Sequence, residues 1–230
     1  MEGVKEFDLG VVPLREVNRY LHHDAPGNGV SRVKILNADG AHSIAAGLHA
    51  PLDVEIDGHA GYYAGGMNMH ANITVHGNAG PGVGENMMSG TIRVEGFAST
   101  AAGASAHGGL LVILGDAALR CGISLKGGDI VVGGSVGSFS AFMAQAGRIV
   151  ICGDAGDALG DSLYEAVIYV RGKVRSLGAD ARFEPMAEAD YLAVKELLDK
   201  AGLSHDPKSF QRVASARSLY HWNADANQEY

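Results

Sequence analysis

From Leu52 to about Pro185 the chain is built of short runs with an apolar residue at every second position, and every run closes on a glycine. The runs are Val54-Glu-Ile-Asp-Gly58, Ile73-Thr-Val-His-Gly77, Ile92-Arg-Val-Glu-Gly96, Leu111-Val-Ile-Leu-Gly115, Ile130-Val-Val-Gly-Gly134, Ile149-Val-Ile-Cys-Gly153 and Ile168-Tyr-Val-Arg-Gly172. Successive closing glycines are 19 residues apart each time. Two and four residues before the glycine the side chain is always Val, Ile or Leu, the inward positions of a strand of period two. Two residues after it comes a small residue, from Ala60 and Ala79 to Val174, and seven after it Gly65, Gly84, Gly103, Gly122, Ala141, Gly160 or Ala179. That last position is where a corner requires a conformation that glycine reaches cheaply.

A fixed period of this size is the mark of a solenoid. The pattern predicts an all-β fold, a parallel β-helix of about seven to eight coils, right-handed as parallel crossovers mostly are. At ~4.8 Å per coil the rod would be roughly 35 Å long. A strand-plus-helix repeat is disfavoured by the glycine content, and a hexapeptide β-helix by a period that is not a multiple of six.

The flanks differ. Residues 1–30 precede the repeat, with Pro13, Leu14, Val17 and Leu21 spaced as a short amphipathic helix that His22-His-Asp-Ala-Pro-Gly-Asn-Gly29 breaks. Residues 31–185 form the β-helix, opened by an irregular strand at Val33–Leu36. In residues 186–230, Ala187 to Ala201 reads as an amphipathic helix stopped by Gly202, and 206–217 as a second short helix. The tail beyond carries Tyr220 and Trp222, aromatics that suit docking.

Residues at equal offsets in successive coils stack over one another. The outward positions one and three before the glycine hold Asp57, His76, Glu95 and Glu55, Thr74, Arg93 in the first three coils, an ordinary solvated face. In the next three they hold Leu114, Gly133, Cys152 and Val112, Val131, Val150. A strand apolar on both faces is covered on both, so either an end segment of this chain or a partner packs there. Val112, Leu114, Val131, Val150 and Cys152, with Tyr220 and Trp222, are therefore the candidate interface residues. Met67, Met69, Met87 and Met88 either form a second contact surface or line the interior.

Charge and composition narrow the function. The net charge is −8 and no lysine or arginine run occurs, which disfavours nucleic acid and anionic membrane as partners. No apolar run approaches ~20 residues and no secretory signal layout is seen, so the expectation is a cytoplasmic chain. Cys121 and Cys152 occupy unmatched offsets, which disfavours a disulfide and fits free thiols. His22-His23-Asp24 has no further ligand at regular spacing and reads as a polar helix end rather than a metal site. His59, His70, His76 and His107 fall at different offsets and form no ladder of their own. The Gly80-Pro-Gly82-Val-Gly84 stretch lacks the helix that a dinucleotide fingerprint needs, and Gly77, Gly80 and Gly84 coincide with repeat positions. No catalytic, cofactor or metal residue is assigned to this chain.

The run Gly77-Asn-Ala-Gly80-Pro-Gly-Val-Gly84-Glu-Asn-Met-Met-Ser-Gly90 followed by Ile92-Arg-Val-Glu-Gly96 resembles the GXGXG domain of the glutamate synthase family. Within that family the length and helical ends are similar to the middle subunit of N-methylglutamate synthase. The resemblance implies a right-handed parallel β-helix in a hetero-oligomer, bridging a glutaminase-type amidotransferase subunit and a subunit that carries FMN and an iron–sulfur cluster. The complex would convert methylamine and glutamate to N-methylglutamate and ammonia. Other readings are a β-helix subunit of a glutamate synthase-like or formylmethanofuran dehydrogenase complex, and an independent polysaccharide-acting β-helix enzyme, which the missing corner insertions disfavour.

Overall fold

The structure, a computed structural model, describes residues 4–217. It is a parallel β-solenoid of about seven turns whose long strands form one 11-stranded sheet. The regular strands are β3 (Asp53–Ile56), β4 (Asn72–Val75), β5 (Thr91–Val94), β6 (Leu110–Ile113), β7 (Lys126–Val132), β8 (Ala146–Ile151) and β9 (Val167–Val170). Each pairs with the next in parallel, Ile73 over Val54 and Ile92 over Ile73, which is the 19-residue register of the sequence. A second parallel ladder runs through the small residues after the closing glycine, from Ala41 and Ala60 to Ala155 and Val174.

The inward columns fill the core. Val54, Ile73, Ile92, Leu111, Ile130, Ile149 and Ile168 stack in one file and Ile56, Val75, Val94, Ile113, Val132, Ile151 and Val170 in another, all buried. Stacked β-branched side chains in files suit a narrow interior, since each keeps one preferred rotamer. The glycine seven residues after the closing glycine is left-handed, as at Gly103 (φ +66°) and Gly122 (φ +68°), and Ala141 takes the same conformation at φ +59°. The closing glycine is needed for a different reason. A Cβ on Gly77 would stand 2.6 Å from the carbonyl oxygen of Gly58, so a side chain there would push adjacent coils apart.

Both ends depart from the sequence reading. Residues 1–30 do not simply precede the solenoid: β1 (Val4–Asp8) pairs in parallel with β2 (Arg32–Leu36) and belongs to the sheet. Between them α1 (Leu14–Arg19) runs through a widened turn at Tyr20–Asp24 into α2 (Ala25–Gly27). Val17, Leu21 and Ala25 are buried with Ile44 and Leu48, so this segment plugs the open end of the first coil. Asn18 fixes it by donating to Ser43 O (2.9 Å) and accepting from the Ala45 N–H (3.0 Å).

At the other end the expected helix is α3 (Glu188–Ala201), closed by Gly202 in the left-handed conformation. The second helix expected over 206–217 is instead a single 3₁₀ turn at Pro207–Ser209 and a strand, β11 (Gln211–Ser215). β11 lies antiparallel between β9 and β10 (Ala181–Glu184) and alternates Arg212 outward with Val213 inward. The physical reason is the last regular strand, whose free backbone groups are satisfied by pairing, which a helix would not supply. Tyr220 and Trp222 lie outside the described residues.

Candidate functional site

Three outer features bear on function: the face under α3, the ladders of polar side chains along the corners, and an open flank of aromatic and methionine side chains.

The outward column three before the closing glycine reads Glu55, Thr74, Arg93, Val112, Val131, Val150, Tyr169, and α3 lies along its second half. Val112, Val131, Val150, Cys152 and Tyr169 form one buried cluster with Val194, Leu197, Leu198, Ala201 and Phe210, with Leu114 packed at its margin. The cover is thus this chain's own C-terminal helix. The reading of Val112, Leu114, Val131, Val150 and Cys152 as a surface for another subunit is corrected, because α3 already removes their apolar area from water. Polar contacts fix the helix along its length. Tyr169 donates to Asp190 Oδ1 (2.8 Å), and Asp190 Oδ2 accepts from the Ala187 N–H (2.8 Å). Arg148, held by two 2.7 Å hydrogen bonds to Asp129, faces Glu196 at 3.5 Å. Those carboxylates raise the Arg148 pKa, the Asp129 hydrogen bonds most. Burial pushes the Cys152 thiol up to about 11 and the interior Cys121 thiol up to about 12.

The histidines join mixed ladders that no single-residue search reveals. His59 Nδ1 accepts from the Asn78 N–H and Asn78 Oδ1 from the Phe97 N–H, each at 3.0 Å. Farther along the same offset Asp116 accepts from Ser135 N–H, Ser135 from Asp154 N–H and Asp154 from Lys173 N–H, at 2.7, 3.0 and 2.7 Å. Each side chain satisfies one backbone donor of the next coil. The signal was present in the sequence as a column of His, Asn, Asp and Ser. His76 stands between Glu55 (3.9 Å) and Glu95 (3.0 Å) on the solvated face. His22 Nε2 is 2.9 Å from Ala46 O, as part of the end plug. Among the described residues no group of three His, Cys, Asp or Glu is placed to hold a metal ion.

The open flank lies on the first regular coils. Tyr62 stacks on His42 with ring centroids 4.4 Å apart, Tyr63 is 50% exposed and Met67 57%, and Met69 and Met88 are exposed as well, whereas Met87 is buried in the core. Three of the four methionines therefore face out. Tyr63 and Met67 border a cleft of about 320 Å³ with Ser43, Ala46, Gly66, Glu85 and Asn86. The glycine-rich stretch of the second coil builds this flank. A Cβ at Gly80 would meet the Gly61 carbonyl carbon at 2.7 Å, and one at Gly82 would strike the Tyr63 ring at 2.9 Å. Gly84 takes φ +66°. Each glycine of the motif has its own steric reason, and Gly82 leaves the space that the Tyr63 ring occupies.

The chain is a parallel β-solenoid with one outer face sealed by its own helix and another left open. The chain is 52% identical over 224 residues to Protein GlxC of Rhizobium meliloti (strain 1021), covering 97% of this chain and 98% of that protein; it belongs to the GlxC family. No family model matches the sequence. Among solved structures, the chain resembles one chain of the formyltransferase/hydrolase complex (FhcABCD) from Methylorubrum extorquens in complex with methylofuran. The TM-score is 0.70 at 24% identity over 89% of this chain and 87% of that one, a likeness of fold. No helix among the described residues is long and apolar enough to cross a membrane.

Proposed function

We propose that this chain is a non-catalytic bridging subunit of a heteromeric enzyme complex of the N-methylglutamate synthase type, joining a glutaminase-type amidotransferase subunit to an FMN and iron–sulfur subunit. The observation that carries the reading is the open flank of Tyr62, Tyr63, Met67, Met69 and Met88. Aromatic and methionine side chains clustered on a rigid surface are the composition of a protein contact. The repeat and the glycine-rich second coil support the family-level part. The chemistry would reside on the partners.

A second reading has one observation in its favour. The solved structure that this chain resembles is a formyltransferase/hydrolase complex, so a β-helix subunit of a formyl-transfer complex is the alternative. Purification of the tagged chain from its native source, with mass spectrometry and a visible spectrum of the eluate, separates the two. Flavin absorption with a glutaminase-like chain supports the first, and Tyr63→Asp with Met67→Asp should then release the partners from a folded solenoid. A molybdenum or tungsten subunit or formyltransferase chains support the second. A colourless single species overturns both.

A further inference from the structure

The cleft of about 320 Å³ on the open flank has one charged group in its lining, the Glu85 carboxylate. A Cβ on Gly82 would lie 2.9 Å from both Glu85 Oε2 and the Tyr63 ring, so carboxylate and ring face the same small space above that glycine. Elsewhere the coils pair their acids, Asp129 with Arg148 and Asp157 with Arg175. Glu85 is half-buried, and among the described residues its carboxylate has no ion pair or hydrogen bond. Stacking supplies none, because the same offset in the coils on either side holds Gly66 and Ala104. The backbone holds the cleft open: Tyr63 and Met67 are left-handed (φ +58° and +56°), and the Met67 N–H donates to Glu85 O at 2.7 Å. An unpaired carboxylate facing an aromatic ring, with a thioether at the rim, is the complement of a cation carried on an apolar stem.

We propose that this cleft is the socket for an arginine or lysine side chain of the partner subunit. The inference rests on the reading of this flank as the subunit contact and names the chemistry of the partner's side of it. The stem of the incoming side chain lies against Tyr63 and Met67, its charged head meets Glu85, and Ser43 and Asn86 accept from its remaining N–H groups. Charge selects this occupant. Glu85 repels an acidic group, and a purely apolar one would bury the carboxylate without a partner.

Tagged full-length chains, parent and variant, are purified from the native source, and the partner retained per chain is measured through a rising salt wash. At low salt retention should fall severalfold in Glu85→Gln and further in Glu85→Lys, each with the far-UV spectrum of a folded solenoid. Tyr63→Phe, which keeps the ring, should retain the partner as the parent does. High salt should narrow the gap between parent and Glu85→Gln, since the lost contact is an ion pair. Retention at the parent level in both Glu85 variants, while Tyr63→Asp with Met67→Asp releases the partner, overturns the socket and leaves the flank as the contact. Retention in that double variant as well overturns the flank reading and the socket with it, as does a parent chain that purifies alone. A gap that high salt leaves unchanged overturns the cationic occupant.

Discussion

Arg93 donates from Nη1 to the backbone carbonyl of Ala201 at 3.0 Å, so a side chain of β5 closes the last turn of α3 across 108 residues of sequence. The same outward column ends at Tyr169, which holds Asp190 in the first turn of that helix. A 14-residue helix is ~21 Å long. The four coil steps from β5 to β9 span ~19 Å. The column therefore measures the helix: a cation at its C-terminal carbonyls, three valines under its apolar stripe, and a phenol at its N-terminal carboxylate. Arg93→Ala should cost about 1.5 kcal/mol, the loss of a charge-assisted hydrogen bond at a helix end. Urea titration of the variant, with amide exchange in Lys200 to Leu203 as the local reporter, checks it.

Val131→Asp tests what α3 covers. Val131 is fully buried between sheet and helix, and an unpaired carboxylate there costs more than docking the helix returns. The expected outcome is release of α3 with the coils intact, read by thiol labelling. Cys152, beneath α3, should become reactive, while Cys121, inside the solenoid, stays inert. Labelling of both cysteines would mean that the coils had opened as well.

The period was legible because every coil repeats the same inward demand, and the files of Val, Ile and Leu leave a signal in each copy. The apolar outward residues Val112, Val131 and Val150 correctly announced a cover, yet nothing local named the cover. Its identity depends on Leu197 and Leu198, far along the chain. The strand β1 was missed because Lys5, Glu6 and Asp8 hide its alternation, charges suited to an exposed sheet edge. β11 was misread as helix because a five-residue strand whose last three residues, Val213, Ala214 and Ser215, are all buried shows no alternation to separate the two periods. The left-handed backbone at Tyr63 and Met67 was not legible either, since neither side chain favours it and the stacked hydrogen bonds of neighbouring coils impose it.

Two kinds of small residue should respond differently to substitution. Gly115→Ala places a Cβ 2.8 Å from the Gly96 carbonyl oxygen, a backbone atom that cannot turn aside. A loss of about 3 kcal/mol is expected. At Ala141, φ +59°, replacement by glycine relieves about 1–2 kcal/mol of left-handed strain. It also gives up ~0.8 kcal/mol for a buried methyl group and about 0.5–1 kcal/mol of chain entropy. Ala141→Gly should therefore fall within about 1 kcal/mol of the parent in chemical denaturation. A loss at Ala141 as large as at Gly115 would show that the corner depends on the methyl group rather than on the backbone.

The two thiols make the fold sensitive to alkali. Cys121 is raised from 9.0 to about 12 and Cys152 from 9.0 to about 11, both by burial, so the folded chain keeps protons that the unfolded chain has released. Their contribution is fully present below the unfolded value and is lost as pH rises through the folded values. Stability should fall from about pH 9 for both thiols, the Cys152 part levelling off near pH 11 and the Cys121 part near pH 12. Tyr169 adds to the same slope, since burial and its hydrogen bond to Asp190 raise its phenol as well. Denaturation midpoints measured across this range for the parent, Cys152→Ala and Cys121→Ala should show a shallower alkaline slope in each variant, with Tyr169→Phe removing a further share. A slope unchanged by both cysteine replacements would mean that the thiols reach water before the chain unfolds, and for Cys152 that α3 lifts in the native state.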